Sequence, residues 1–251
     1  MSAGPVLEAR GVSKSYGGLK AVNDISFSVA PGEILGIVGP NGAGKTTLFD
    51  VISGHTRASG GEVVLDGAVV TDASVHDRTR RGIARTFQQP TVARSLSVLE
   101  NMLLAVSFRR RLPEGDKRSS LEAAYDMLAF VGLESRAEET AGLLGVFDTK
   151  RLMLGTALAS GARALLLDEP FGGLSFGEIE LTMDLIRRSR GADLAVVCIE
   201  HVMRALTSLA DRVLVMHHGA ALFEGSPEEM LRDERVIEVY LGSRHRREAA
   251  Q

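Results

Sequence analysis

The sequence predicts an α/β fold with a mixed β-sheet core, an N-terminal antiparallel β subdomain and an inserted helical subdomain. Three observations carry that expectation. The apolar run Ile34–Val38 leads through Gly39-Pro40-Asn41-Gly42-Ala43-Gly44-Lys45-Thr46-Thr47 into residues 48–52, which is a strand, a glycine-rich loop and a helix in the pattern G-x-x-x-x-G-K-[ST]. Two further apolar runs, residues 164–167 and 194–199, lack polar alternation, as strands covered on both faces do. Between the loop and these runs, about residues 90–159 read as helical, with capping signals and helical spacing.

Taken in order, residues 6–12 and 25–29 are expected as two short strands separated by the polar turn Ser13-Lys14-Ser15-Tyr16-Gly17-Gly18. Tyr16 is the aromatic of that turn and offers a flat ring on which a base can stack. After Pro31-Gly32 come the central strand and the glycine loop. Only backbone N–H groups left uncovered by glycine wrap a di- or triphosphate closely, and the loop then opens a helix whose positive end faces the same charge. Lys45 is placed to reach the β and γ oxygens, and Thr46 to complete the coordination of Mg²⁺. The chain is therefore expected to bind ATP or GTP. Gly54 stops the helix, and residues 62–65 with Asp66-Gly67 form a strand and tight turn.

Residues 81–90 close on Gln88, Gln89 and Pro90, so Gln88 sits at a junction that neither a strand nor a helix continues through. Ser97 with Glu100 is a capping box opening a helix to about residue 106, and residues 109–120 are expected as a charged surface loop. Leu121, Ala124, Leu128 and Val131 recur at helical spacing up to Gly132. The strand at 164–167 then ends in Asp168-Glu169-Pro170, where a parallel sheet binds ligands. Asp168 suits a magnesium site, and Glu169 is placed to polarise a water. Ser175 with Glu178 opens another helix, which Gly191 ends. The strand at 194–199 closes on Glu200-His201, and His201 alone of six histidines follows a core strand at its ligand-facing end; His55, His76, His217, His218 and His245 are expected in turns or tails. Residues 212–216 and 221–223 read as edge strands, and Ser226-Pro227-Glu228-Glu229 caps a final helix.

A chain of 251 residues with 45% apolar and 24% charged residues buries a large core. Its net charge of −3 argues against a nucleic-acid partner, and the basic Arg244, Arg246 and Arg247 read as a solvated tail. The single cysteine, Cys198, excludes a disulfide within the chain. With neither a secretory signal nor a membrane-spanning run, the expected place is cytoplasmic, with any membrane role exercised through a partner.

Tyr16, the phosphate loop 39–47, Gln88, the helical lobe, Asp168-Glu169-Pro170 and His201, in that order, resemble the nucleotide-binding subunit of ABC transporters over nearly the whole chain. The resemblance implies a P-loop NTPase (ABC ATPase) fold in one nucleotide-binding domain, with residues 1–89 and 160–251 as the core and 90–159 as the helical subdomain. It implies ATP and Mg²⁺ as cofactors, Tyr16 on adenine, and Gly39, Pro40, Asn41, Gly42, Ala43, Gly44, Lys45, Thr46 and Thr47 on the phosphates. Thr46, Gln88 and Asp168 fall at the metal, Gln88 also at the contact with the membrane subunit, Glu169 as general base, and Lys45 and His201 at the γ-phosphate. Within the family, Ala84-Arg85-Thr86-Phe87-Gln88, Glu200-His201-Val202-Met203 and the ending Val236-Ile237-Glu238-Val239-Tyr240-Leu241-Gly242 look like the subunits of branched-chain amino acid importers. That type implies transmembrane permease subunits, a second ABC ATPase subunit of the same or a related chain, indirectly a periplasmic or extracellular solute-binding protein, and a peripheral place on the cytoplasmic face of the cell membrane. Alternatives are the ATPase of a lipopolysaccharide-type exporter and a soluble ABC-type scaffold or switch, as in iron-sulfur cluster assembly. A kinase leaves the helical lobe and His201 without a purpose.

One stretch departs from the family. Leu144-Gly145-Val146-Phe147-Asp148 stands where Leu-Ser-Gly-Gly-Gln is expected, the segment that grips the γ-phosphate held by the opposite subunit. Gly145 has no hydroxyl, and Val146 and Phe147 add bulk. The expectation is a pair of unequal ATP sites if the partner ATPase is a different chain.

Overall fold

Two sheets and three apolar clusters follow from where the chain can pair its backbone and cover its apolar faces. The computed structural model describes residues 4–108, 119–191 and 193–240. Most of the expected surface loop at 109–120, the basic Arg244, Arg246 and Arg247, His245, and Leu241 and Gly242 of the importer-like ending lie outside the described residues.

The chain begins with β1 (Leu7–Tyr16) and β2 (Leu19–Val29), paired antiparallel. These are longer than the two short strands the sequence predicts, and the six-residue polar turn shrinks to Gly17 and Gly18. The reason is that β1 has a partner on each side, so its backbone groups are satisfied whatever the polarity of the side chains. Register shifts between Ala9 and Ser15 absorb the polar residues as bulges. Tyr16 is thus the last residue of a strand.

There follow β3 (Ile34–Val38), α1 (Lys45–Ser53), β4 (Gly60–Leu65) and the short β5 (Ala68–Val69). Helix α1 ends at Gly54 in the left-handed region, as its sequence predicts. Next come α2 (Val75–Arg81), which sequence reading does not foresee, β6 (Ile83–Arg85) and α3 (Val98–Ser107). Helix α4 (Ser120–Val131) ends at a left-handed Gly132, and α5 (Val146–Ala159) leads to β7 (Ala164–Asp168). The remainder is α6 (Phe176–Ser189), β8 (Ala195–Ile199), α7 (Met203–Leu209), β9 (Arg212–His217), β10 (Ala220–Gly225) and α8 (Pro227–Met230). The capping boxes foreseen at Ser97, Ser175 and Ser226 are all formed. Helix α6 stops one residue sooner than foreseen, because Arg190 already leaves the helical region before Gly191. Two histidines expected in turns lie in regular structure, His76 in α2 and His217 at the end of β9.

One sheet has the order β2-β1-β4-β5 and is antiparallel; the other has the order β10-β9-β3-β8-β7-β6 and is parallel except for its edge strand β10. All five residues of β3 are buried: Leu35 and Ile37 face the cluster shared with α1 and the antiparallel sheet, while Ile34 and Val38 face the cluster beneath α6 and α7. Cover on both faces is why this strand shows no alternation. A third cluster joins α3, α4 and α5 through Val98, Met102, Leu128 and Leu152. None of the described helices is long and apolar enough to cross a membrane.

Arg78 of α2 fastens the far end of α1. Its side chain is fully buried and its guanidinium donates to the carbonyls of Val51 (2.6 Å), Ile52 (2.7 Å), Ala73 (3.1 Å) and Thr71. Two of these carbonyls belong to the last turn of α1: that of Val51 is shared with the Gly54 N–H, and that of Ile52 lies among the last four, which have no partner within the helix. Replacing Arg78 with Met would leave buried acceptors unpaired and is expected to cost about 3 kcal/mol in urea unfolding. A loss below about 1 kcal/mol would show that water reaches these carbonyls.

Candidate functional site

The parallel ladder sets the site. Ile37 of β3 and Asp168 of β7 both stand level with Ile199 of β8, so the three strands end on one line. The phosphate loop, Glu169 and Glu200-His201 are the residues that follow, and they meet at one edge. Tyr16, Asn41, Gly42, Ala43, Gly44, Lys45, Thr46, Thr47, Glu169 and His201 line one open cleft of about 530 Å³, whereas Gly39, Pro40, Gln88 and Asp168 lie outside its wall.

Two glycines have no substitute in the loop. A Cβ on Gly39 would lie 2.1 Å from the Met216 carbonyl oxygen, and one on Gly44 would lie 2.1 Å from that of Ala21; both sit at positive φ. Gly44 is also the N-cap of α1, with no side-chain cap and no acid in the first turn, which leaves the positive end of the helix open to an anion. Lys45 is buried, and its ammonium donates to the carbonyls of Gly39 (2.7 Å) and Pro40 (3.1 Å). Burial pushes its pKa down, against the opposing pull of the Glu169 and Asp168 carboxylates. The ring of Tyr16 is half exposed at the cleft, with the Lys14 ammonium 4.9 Å from its centroid.

Glu169 is held from both sides. Its Oε2 accepts from Gln88 Nε2 at 2.8 Å, and its Oε1 lies 2.9 Å from His201 Nε2. Its backbone takes the left-handed region, φ 51°, which turns the chain sharply after β7 and presents the carboxylate to the cleft. The Glu169 carbonyl in turn accepts from Lys150 Nζ of α5 at 2.9 Å. Burial lowers the pKa of Lys150, while Glu200 and Glu169 hold it up.

Asp168 is not free. Its Oδ2 accepts from Arg85 at 2.9 Å, and the same guanidinium reaches Asp50 of α1 at 2.6 Å, with Arg85 and Asp168 side chains 5% and 8% exposed. Arg85 also packs over the Phe87 ring, 4.7 Å from its centroid, and its Nε is buried without a hydrogen-bond partner. Glu200, also buried, accepts from three backbone N–H groups, those of Phe171, His201 and Val202. Sequence reading assigns Arg85, Lys150 and Glu200 no role. The available signals were a cation immediately before Thr86-Phe87-Gln88 and an acid directly after a buried strand, and neither names its partner.

No group of three or more His, Cys, Asp or Glu side chains suited to a metal occurs among the described residues. The Thr46 hydroxyl, the Gln88 amide oxygen and the free oxygen of Asp168 are hard donors, and so few of them suit Mg²⁺, which keeps waters and takes phosphate oxygens.

The departing stretch forms the start of α5. Gly145 is the N-cap and supplies no side-chain cap. Asp148 does not cap the helix; its carboxylate pairs with Arg136 and Arg151 of its own subunit. Leu143 and Val146 are exposed. A groove of about 370 Å³ is lined by Phe87, Leu104, Phe108 and Ala157 and runs between the parallel sheet and the helical cluster.

The ABC transporter family model matches residues 22–172, and that of the branched-chain amino acid ATP-binding cassette transporter matches residues 222–246. The chain is 33% identical to the high-affinity branched-chain amino acid transport ATP-binding protein BraF of Pseudomonas aeruginosa, over 95% of this chain and 98% of that protein. It is 32% identical to the corresponding LivG protein of Escherichia coli K12 (95% and 98%) and to the lipopolysaccharide export system ATP-binding protein LptB of Haemophilus influenzae (94% and 97%). Among solved structures it is similar to the ADP conformation of MJ1267, an ATP-binding cassette of an ABC transporter, with TM-score 0.85, 28% identity, and 95% and 99% of the two chains covered.

The Arg85 bridge is open to test. Arg85→Met would strand Asp168 and Asp50 and is expected to cost about 3–5 kcal/mol in chemical unfolding, because each acid loses a buried partner. Arg85→Lys is expected to recover less than half of that, since one ammonium cannot span two carboxylates. Full recovery by Lys would show that charge alone, not the forked geometry, joins the two elements.

Proposed function

Because this chain belongs to the ABC transporter ATP-binding family, we propose that it is the ATP-hydrolysing subunit of an importer for branched-chain amino acids or related small polar solutes. The observation that carries the reading is Glu169 held between Gln88 and His201 over the phosphate loop. The C-terminal family match favours import over lipopolysaccharide export.

In this reading adenine stacks on Tyr16, and the triphosphate lies on the N–H groups of residues 41–47. Lys45 exchanges the Gly39 and Pro40 carbonyls for phosphate oxygens and neutralises their charge. Thr46, Asp168 and Gln88 would hold Mg²⁺, which would supply further charge neutralisation at the phosphates. Glu169 takes the proton of the attacking water, and His201, fixed against the same carboxylate, faces the γ-phosphate. Positioning and electrostatics do most of the work in such a site.

The groove beside Gln88 is the proposed seat of a permease segment. Its apolar wall includes the half-exposed Leu104 and Phe108, and Phe87 of that wall is followed directly by Gln88, which bonds the carboxylate that activates water. Docking there places the subunit peripherally on the cytoplasmic face, with a solute-binding protein acting on the far side of the permease. Residues 90–159 act as the subdomain that carries this surface. A second ATPase subunit closes head to tail on the first. Gly145 offers it no hydroxyl and Asp148 is engaged by arginines, so the nucleotide gripped by this stretch is the weaker of the two when the partner is a different chain.

Glu169→Gln is expected to lower ATP turnover by about 100-fold or more while Mg-ATP still binds. An unchanged rate would remove Glu169 from the role of base. Size-exclusion chromatography of the same variant with Mg-ATP reads whether two copies close on each other. Phe108→Asp is expected to leave ATP binding intact and to abolish co-fractionation with the permease in membranes; retention would place the docking surface elsewhere.

A further inference from the structure

Resting on the reading above, we propose that Glu200 is a positioning residue that ties the catalytic turn at Glu169 to His201 through three backbone hydrogen bonds. The Glu200 carboxylate is 3% exposed. Its Oε1 accepts from the N–H of Phe171 at 2.8 Å, two residues beyond Glu169. Its Oε2 accepts from the N–H groups of His201 at 2.8 Å and Val202 at 3.0 Å. One side chain therefore staples the loop leaving β7 to the loop leaving β8.

The need for such a staple is local. Beyond Asp168 and Ile199 the ladder no longer holds the two chains together, apart from the bond of Glu169 N–H to the Ile199 carbonyl at 2.9 Å. The buried N–H of Phe171 and the partly buried N–H groups of His201 and Val202 are not satisfied by regular structure, and an ionised acceptor bonds them more strongly than a neutral one. The contact of 2.9 Å between Glu169 and His201 spans the same two loops, so its length depends on their separation. Lys150 lies within electrostatic reach of Glu200 while donating to the Glu169 carbonyl, which balances the buried charge and adds α5 to the joint. Glu200 touches backbone rather than reacting atoms, and its effect on turnover passes through His201 and Glu169.

Glu200→Gln separates this role from bulk stability. A glutamine has one acceptor oxygen, so it serves either Phe171 or the pair His201 and Val202, and turns N–H toward the other. Amide hydrogen exchange on the full chain is expected to rise by about tenfold or more at one of these sets, with β3 and α1 unaffected. On the full chain, kcat is expected to fall by about tenfold or more with the KM for ATP within about twofold, because misplacement of the reacting groups is felt mainly in turnover. In a His201→Ala background the same change is expected to lower kcat by less than about threefold, since residues acting as one unit are not additive. Glu200→Asp, which keeps charge and both oxygens, gives the same readings at smaller amplitude and serves if the glutamine variant does not fold. Unchanged exchange at all three amides, or a full multiplicative loss in the His201→Ala background, would overturn the proposal. Absence of turnover in the unsubstituted chain would instead count against the proposed function, and the exchange measurement would still decide whether Glu200 holds the two loops.

Discussion

The rest of the structure depends on the register of a parallel ladder. Strands β3, β7 and β8 are buried on both faces, so their backbone groups can be satisfied only by neighbouring strands of the sheet, and a slip of one residue would swap the side chains packed into the two apolar clusters. That requirement brings three strand ends level at Ile37, Ile199 and Asp168. The glycine loop, Glu169 and His201 inherit their meeting point from it. The chemistry of the cleft is in this sense a consequence of core packing.

Charge is the second constraint. Asp50, Asp168, Glu169 and Glu200 gather around a cleft that is to receive further anions, and left alone they would repel both one another and the nucleotide. Arg85, Lys45 and Lys150 lie among them, each mostly withdrawn from water and each committed to specific oxygens. Lys45 is the mobile member, resting on two carbonyls that a phosphate can replace. Arg85 and Lys150 are fixed, one joining α1 to β7 and the other joining α5 to the turn after β7. Arg85 and Lys150 thus offset the acids from within the fold, which leaves Lys45 as the cation available to a phosphate.

The start of α5 shows the same economy directed inward. Asp148 stands where the family places an uncharged amide, and a free carboxylate there would oppose a phosphate from the facing subunit. Arg136 and Arg151 draw it back to its own subunit, and the Arg151 guanidinium also lies 4.6 Å from the Phe147 ring centroid. The segment is an ordered helix start, with Thr149 N–H bonded to the Gly145 carbonyl at 2.9 Å.

The phosphate loop, the capping boxes, the buried central strands and the order of acids and histidine were legible in the amino-acid sequence because each is written in a few contiguous residues with a local physical cause. Glycines that must adopt positive φ, a serine three residues before a glutamate, and an apolar run without alternation carry their meaning wherever they occur. The length of β1 and β2 was not legible, since polar residues there are held by a ladder on both sides and not by their own preference. Nor were the tasks of Arg85, Lys150 and Glu200. Their partners lie 83, 19 and 29 residues away, and a lone arginine, lysine or glutamate has no sequence pattern that distinguishes a buried bridge from a solvated surface charge. The sequence by itself determined which groups the cleft would contain; only the tertiary structure decided which of them are free to act, because that depends on which opposite charges and backbone groups the ladder brings within hydrogen-bonding reach.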